Sequence, residues 1–126
     1  MICVHLYFDK ISLFSVVVFA LCHFELQGTN GIISVDSTNF TECTWRITSP
    51  PHHKVRLTFS ILNAYDGQLR VYDGQSENVT LLGEFSMITR TFSVQSTARF
   101  MFVTLKMYRW VFCLLEGKYI ASTKIG

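Results

Sequence analysis

The stretch KVRLTFSIL, residues 54–62, alternates along its length: Val55, Leu57, Phe59 and Ile61 fall on one side, Lys54, Arg56, Thr58 and Ser60 on the other. A period of two marks a strand with one face in a core and one in water. CTWRIT, residues 43–48, repeats the pattern, with Cys43, Trp45 and Ile47 on one face and Thr44, Arg46 and Thr48 on the other. Pro50-Pro51 then ends that strand, because proline lacks the donor a ladder needs. Working outward, further short strands are predicted at 31–35 (GIISV), 69–73 (LRVYD), 79–85 (VTLLGEF), 91–94 (TFSV), 99–105 (RFMFVTL) and 117–121 (GKYIA). The run from Phe100 to Leu105 is apolar on both faces, which predicts a central strand or one covered by a loop. Many short strands with no amphipathic helix among them predict an all-β fold, an antiparallel β-sandwich.

The chain has 126 residues, enough for one domain. Its beginning has a different character. After Lys10, residues Ile11 to Phe24 carry no charge until Glu25. That run is shorter than the about 20 residues of a membrane span and reads as the apolar region of a secretory signal. Small residues place the cut anywhere from 20 to 28. The expected organisation is a signal peptide at 1–22, a domain at 23–121 and a short tail at 122–126. An uncleaved leader would instead tether the domain to a membrane, the one route to membrane association. Asn39-Phe40-Thr41 and Asn78-Val79-Thr80 fit the N-glycosylation acceptor pattern, in polar surroundings where a glycan can point into water.

A net charge of +2 spread over scattered lysines and arginines gives no indication of a nucleic-acid partner, and none is expected. No Gly-x-Ser-x-Gly elbow, His-Glu-x-x-His, Cys-x-x-Cys or phosphate loop is present, and no spacing sets a nucleophile beside a base. The expectation is a protein that is not an enzyme and takes no cofactor. His52 and His53 follow the proline pair and are read as surface turn residues, since adjacent histidines seldom converge on one metal. NAYDGQLRVYDG, residues 63–74, holds Tyr-Asp-Gly twice; Asp66-Gly67 and Asp73-Gly74 read as turns at the two ends of one strand. Of the four cysteines, Cys3 leaves with the leader and Cys22 survives or not with the cut. Cys113, among apolar residues, reads as a buried thiol or as an alternative partner for Cys43.

Taken in order, Gly31-Ile32-Ile33-Ser34, Cys43-Thr44-Trp45-Arg46-Ile47, Val55-Arg56-Leu57-Thr58-Phe59, Leu69-Arg70-Val71-Tyr72-Asp73-Gly74, Leu82-Gly83 and Leu115-x-Gly117-x-Tyr119 resemble a CUB domain. The resemblance runs from about Cys22 to Ala121. It implies a CUB-like jelly roll of the kind found in secreted proteases, receptors and seminal-plasma proteins, with Cys22 and Cys43 in the positions of the family's first disulfide. The second disulfide is absent at both ends, Ala64 and Ser86 standing near its positions. Calcium, which many members bind, is not expected. The first carboxylate is missing, Lys106 or Met107 replaces the late aspartate, and Asp66 is a lone, misplaced weak candidate. The apolar run Lys106 to Leu115 replaces a polar loop and is read as covered by the domain.

The function that the resemblance implies is a secreted extracellular binding module of CUB type, non-catalytic, contacting protein or carbohydrate partners. Two sets of basic residues suggest themselves as an acidic partner's contacts: Arg46, Lys54 and Arg56, or Arg99, Lys106 and Arg109. The alternatives are a membrane-tethered display module, or a part of a larger CUB-containing receptor or protease.

Overall fold

A computed structural model describes residues 4–5, 22–35, 42–63, 67–88, 91–107, 111–112 and 114–123. Its elements are β1 (Val4–His5), β2 (His23–Gln27), β3 (Asn30–Val35), β4 (Glu42–Thr48), β5 (Lys54–Asn63), β6 (Gly67–Tyr72), β7 (Leu81–Phe85), β8 (Met87–Ile88), β9 (Phe92–Gln95), β10 (Phe100–Met107), β11 (Val111–Phe112) and β12 (Leu114–Ser122). One sheet runs β2-β4-β10-β6-β7. The other runs β3-β12-β5, and the far edge of β5 is shared by β9 beside Arg56–Phe59 and β8 beside Leu62–Asn63. The pieces β1 and β11 pair with each other. Among the described residues there is no helix, hence none long and apolar enough to cross a membrane.

The alternation in β4 and β5 does what its period requires. Cys43, Trp45 and Ile47 face Val55, Leu57 and Phe59 across the sandwich, and none of the six is more than 2% exposed. Between them, β10 occupies the middle of its sheet, paired with β4 on one edge and β6 on the other. Its inward Met101, Val103 and Leu105 are buried, and so is Thr104 on the opposite face. A strand that is apolar on both sides is stable where neighbours flank it and something overlies its outer face. The turn after β4 closes with the His53 N–H donating to the Pro50 carbonyl at 3.2 Å, and His52 takes φ 68°. That is the position of a type II turn usually given to glycine. His52 is exposed there, as read.

The sequence pattern predicts no strand at β2, whose residues lie in the expected domain but within the 20–28 window for the cut. His23–Gln27 pairs with β4 in parallel, His23 opposite Thr44 and Gln27 opposite Thr48, while the other described ladders are antiparallel. Cys22 and Cys43 continue that register by one step and are joined by a disulfide, with Cα atoms 4.6 Å apart. Gly28, at φ 110°, then turns the chain out of β2 toward β3 in the other sheet. At Gly31 of β3 a side chain is excluded for another reason: a Cβ would lie 2.5 Å from Cε2 of Tyr119, its register partner on β12. The buried Tyr119 ring lies across β3 at this glycine.

The sides of the sandwich opposite the disulfide meet through rings. Phe85 of β7 stands edge-on to Phe59 of β5 at 5.6 Å and to Phe92 of β9 at 4.6 Å, spanning the two sheets. Ser86 follows immediately. Ala64, Asp66, Cys113 and Asn39, together with the side chains of Met107 to Leu114, lie outside the residues described, so the readings placed there stand as expectations.

Candidate functional site

The register of the β2-β4-β10-β6-β7 sheet sets which side chains share its outer face. Glu25, Arg46, Phe102 and Tyr72 form one row across four strands; His23, Thr44, Thr104, Arg70 and Glu84 form the next. Residues 73–80, joining β6 to β7, fold back over this face. Their ends are tied by the Asp73 N–H donating to the Thr80 carbonyl at 2.8 Å. The Asp73 carboxylate accepts from the Thr97 N–H at 2.9 Å and the Thr97 hydroxyl at 2.8 Å. The strand β6 ends before Asp73 as expected, but the Asp73 carboxylate serves a segment 24 residues further on, which the sequence pattern does not show.

Arg46 links three parts of the face. Its Nη1 meets Glu25 Oε2 at 2.6 Å, its Nε donates to the Gln75 carbonyl at 3.0 Å, and its guanidinium carbon stands 5.6 Å from the centre of the Phe102 ring. Guanidinium suits such a position, since its planar fork serves a carboxylate and a carbonyl while its face lies on a ring. Further along, Arg70 Nε meets Glu84 Oε2 at 2.9 Å. That hydrogen bond, aided by Tyr72, holds the Arg70 guanidinium above its ordinary pKa.

Between these pairs lies an open depression of about 430 Å³, lined by His23, Phe24, Glu25, Glu42, Thr44, Arg46, Glu77, Phe102 and Thr104. Thr44 and Thr104, opposite each other on β4 and β10, are buried and make its floor. The His23 Nδ1 meets the Thr44 hydroxyl, a base beside a hydroxyl that sequence spacing did not foresee. Phe24, 45% exposed, stacks on Trp45 at the β2 edge. The walls carry three carboxylates against one guanidinium, and Lys106 stands opposite Glu42 in the ladder. Hydroxyls, paired charges and an aromatic ring make a surface for oriented polar contacts at modest affinity.

The two basic sets do not come together. Arg46 lies on the outer face of one sheet and Arg56 on the outer face of the other, because each flanks inward residues of its own strand. Arg56 is bonded to Gln95 at 3.2 Å. Arg99 donates to the Ser49 carbonyl at 2.9 Å. It precedes β10 while Lys106 stands one residue before its end, roughly 23 Å apart along an extended strand, and Arg109 lies outside the described residues. Opposite charges and carbonyls already hold these arginines. Among the described residues no group of three or more His, Cys, Asp or Glu side chains is placed to hold a metal ion. At the calcium end Lys106 occupies a ladder position between Glu42 and Gln68, so the described donors do not fit calcium.

The family model of the CUB domain matches residues 22–109. The chain belongs to the CUB domain family. It is 34% identical over 89 residues to the exoskeleton protein RP43 of Riftia pachyptila, covering 64% of this chain and 21% of that one. Over 78 residues it is 33% identical to human tolloid-like protein 1, covering 51% of this chain and 7% of the other. The CUB1-EGF-CUB2 region of rat MASP-1 superposes with a TM-score of 0.56 at 21% identity, covering 79% of this chain and 42% of that one, a likeness of fold. The chain thus spans only a small part of the length of these curated relatives. Cys22, at the edge of the predicted leader, is the first residue of the family match and holds the disulfide.

Proposed function

We propose that the chain is an exported extracellular binding module that engages a protein or carbohydrate partner through the outer face of the β2-β4-β10-β6-β7 sheet, without catalysis. The observation that carries this reading is the depression, whose polar groups are held in place by one another and by the 73–80 loop before any partner arrives. A preset surface loses less side-chain freedom on binding. The His23–Thr44 contact is read as part of the floor. Thr44 is 8% exposed, and among the described residues no carboxylate bonds the other nitrogen of His23.

Export is supported by the apolar leader and by kinship to an exoskeleton protein. Within the 20–28 window we place the cut before Cys22, because a later cut removes the disulfide and then β2 itself. Mass analysis of the protein recovered from culture medium tests both points. The expected product begins at or before Cys22 and yields a Cys22–Cys43 linked peptide; a chain kept in the cytosol overturns the reading. Binding is tested on arrays of glycans and of extracellular-matrix proteins. Phe102→Ala and Arg46→Glu are expected to weaken any signal that Lys118→Glu, on the other sheet, leaves intact. As a second reading, the small share of its relatives that the chain covers favours a module that works within a longer protein.

A further inference from the structure

The 73–80 loop that forms one wall of the depression also carries the acceptor pattern Asn78-Val79-Thr80. Three details decide how that triplet stands. Val79 packs back onto the loop: a Cβ at Gly74 would lie 2.8 Å from its Cγ2. The Asn78 backbone N–H donates to the Ser76 hydroxyl at 3.2 Å, and Asn78 and Thr80 are exposed. Glu77, the preceding residue, lines the depression, and the Gln75 carbonyl is bonded by Arg46. The acceptor nitrogen is thus accessible, and it is anchored to the wall of the cavity by a loop that the Asp73–Thr97 bonds keep in place.

We propose that Asn78 carries an N-linked glycan, and that this glycan, rooted in the wall of the depression, sets which partners reach the outer face of the β2-β4-β10-β6-β7 sheet. The step is a glycosyl transfer from an oligosaccharide carried on a lipid pyrophosphate. Asn78 Nδ2 bonds to the sugar's C1, the C1–O bond to the pyrophosphate breaks, Nδ2 gives up a proton, and the lipid pyrophosphate leaves. A hydrated oligosaccharide fixed there sweeps the mouth of the depression and excludes broad protein surfaces more than slender ones. The opposite sheet, with Ile32 and Ile120 on its outer face, is out of its reach. The proposal rests on the reading that the chain is exported.

The experiment uses protein secreted by cultured cells. Release with an amidase that leaves aspartate at the glycan-bearing asparagine reports occupancy of Asn78 by peptide mass. Hydroxyl-radical labelling then compares the glycosylated chain with the amidase-treated chain and with Asn78→Gln and Thr80→Ala. His23 and Phe102 are expected to label severalfold less when the glycan is present, while Ile32 and Ile120, 69% and 50% exposed, label equally in all four samples. The treated wild-type chain keeps the comparison valid should either variant fold poorly. Secreted protein with Asn78 unmodified, or equal labelling of His23 and Phe102 in all samples, overturns the proposal and leaves the binding module standing. Failure of export overturns both.

Discussion

Where β2 pairs with β4 one edge of the sandwich is fastened by a covalent bond; where β7 meets β9 the other is fastened by rings. On the first side Cys22–Cys43 ties the edge strand β2 to β4, and Gly28 carries the same chain into β3 of the second sheet. On the other, Phe85 spans from β7 to Phe59 and Phe92 of the second sheet, directly beside Ser86, where the family resemblance places a cysteine. A disulfide acts largely on the unfolded chain by restricting a loop. A ring cluster acts on the folded one, through buried area and edge-to-face contact. The difference teaches that this chain holds one side by limiting its unfolded alternatives and the other by packing.

That contrast is breakable in measurable ways. The largest expected effect is Cys22→Ser with Cys43→Ser, which should cost about 3 kcal/mol in the loop-entropy picture, read as a lower denaturant midpoint. The reduced wild type should show a similar shift, and reductant should shift Phe85→Ala by the same amount as wild type. Phe85→Ala should itself cost about 2 kcal/mol, less than a fully enclosed phenylalanine because the ring is only partly buried. A double-mutant cycle with Phe92→Ala should leave a coupling of about 1 kcal/mol; additive losses would show that the rings do not act as a pair.

Gly31→Ala tests the disulfide side without touching sulfur. The new methyl meets the Tyr119 ring, and a loss of about 1–3 kcal/mol is expected from overpacking. Tyr119 also gives that side a pH signature. Burial raises its phenol above the ordinary 10.0, so the neutral form is favoured in the fold. Its contribution is complete below the unfolded value and is lost as pH rises through the folded one. Unfolding followed from pH 9 upward should therefore fall more steeply for wild type than for Tyr119→Phe. The smallest effect belongs to the turn between the sides. His52→Gly should raise stability by about 0.5 kcal/mol, the relief of a left-handed backbone partly offset by the glycine's freedom when unfolded.

The strands beneath these effects were legible because burial on one face leaves a periodic trace. KVRLTFSIL and CTWRIT show it, and Val55, Leu57, Phe59, Cys43, Trp45 and Ile47 are buried as the period demands. The two-sided apolar run of β10 likewise announced its central place. By contrast β2 was hidden: HFELQ begins inside the apolar run that ends at Phe24, and an edge strand held by a disulfide needs little pattern of its own. The depression was hidden for a related reason. Its parts come from β2, β4, β10 and a loop, and none of them is unusual where it stands in the chain. Arg46 looked like one of several scattered charges until the register set Glu25 and Phe102 beside it.

By itself, then, the sequence determined the layered β architecture, the inward and outward faces of its main strands, and the family, because each is a property of neighbouring residues or of their order. Only the tertiary structure decided that the basic residues part to opposite sheets, that Asp73 serves Thr97, and that Thr44, Thr104, Arg46 and Glu77 border one cavity. Those are relations between residues distant in sequence, and strand order and register, set by the packing of the whole domain, are what bring them together.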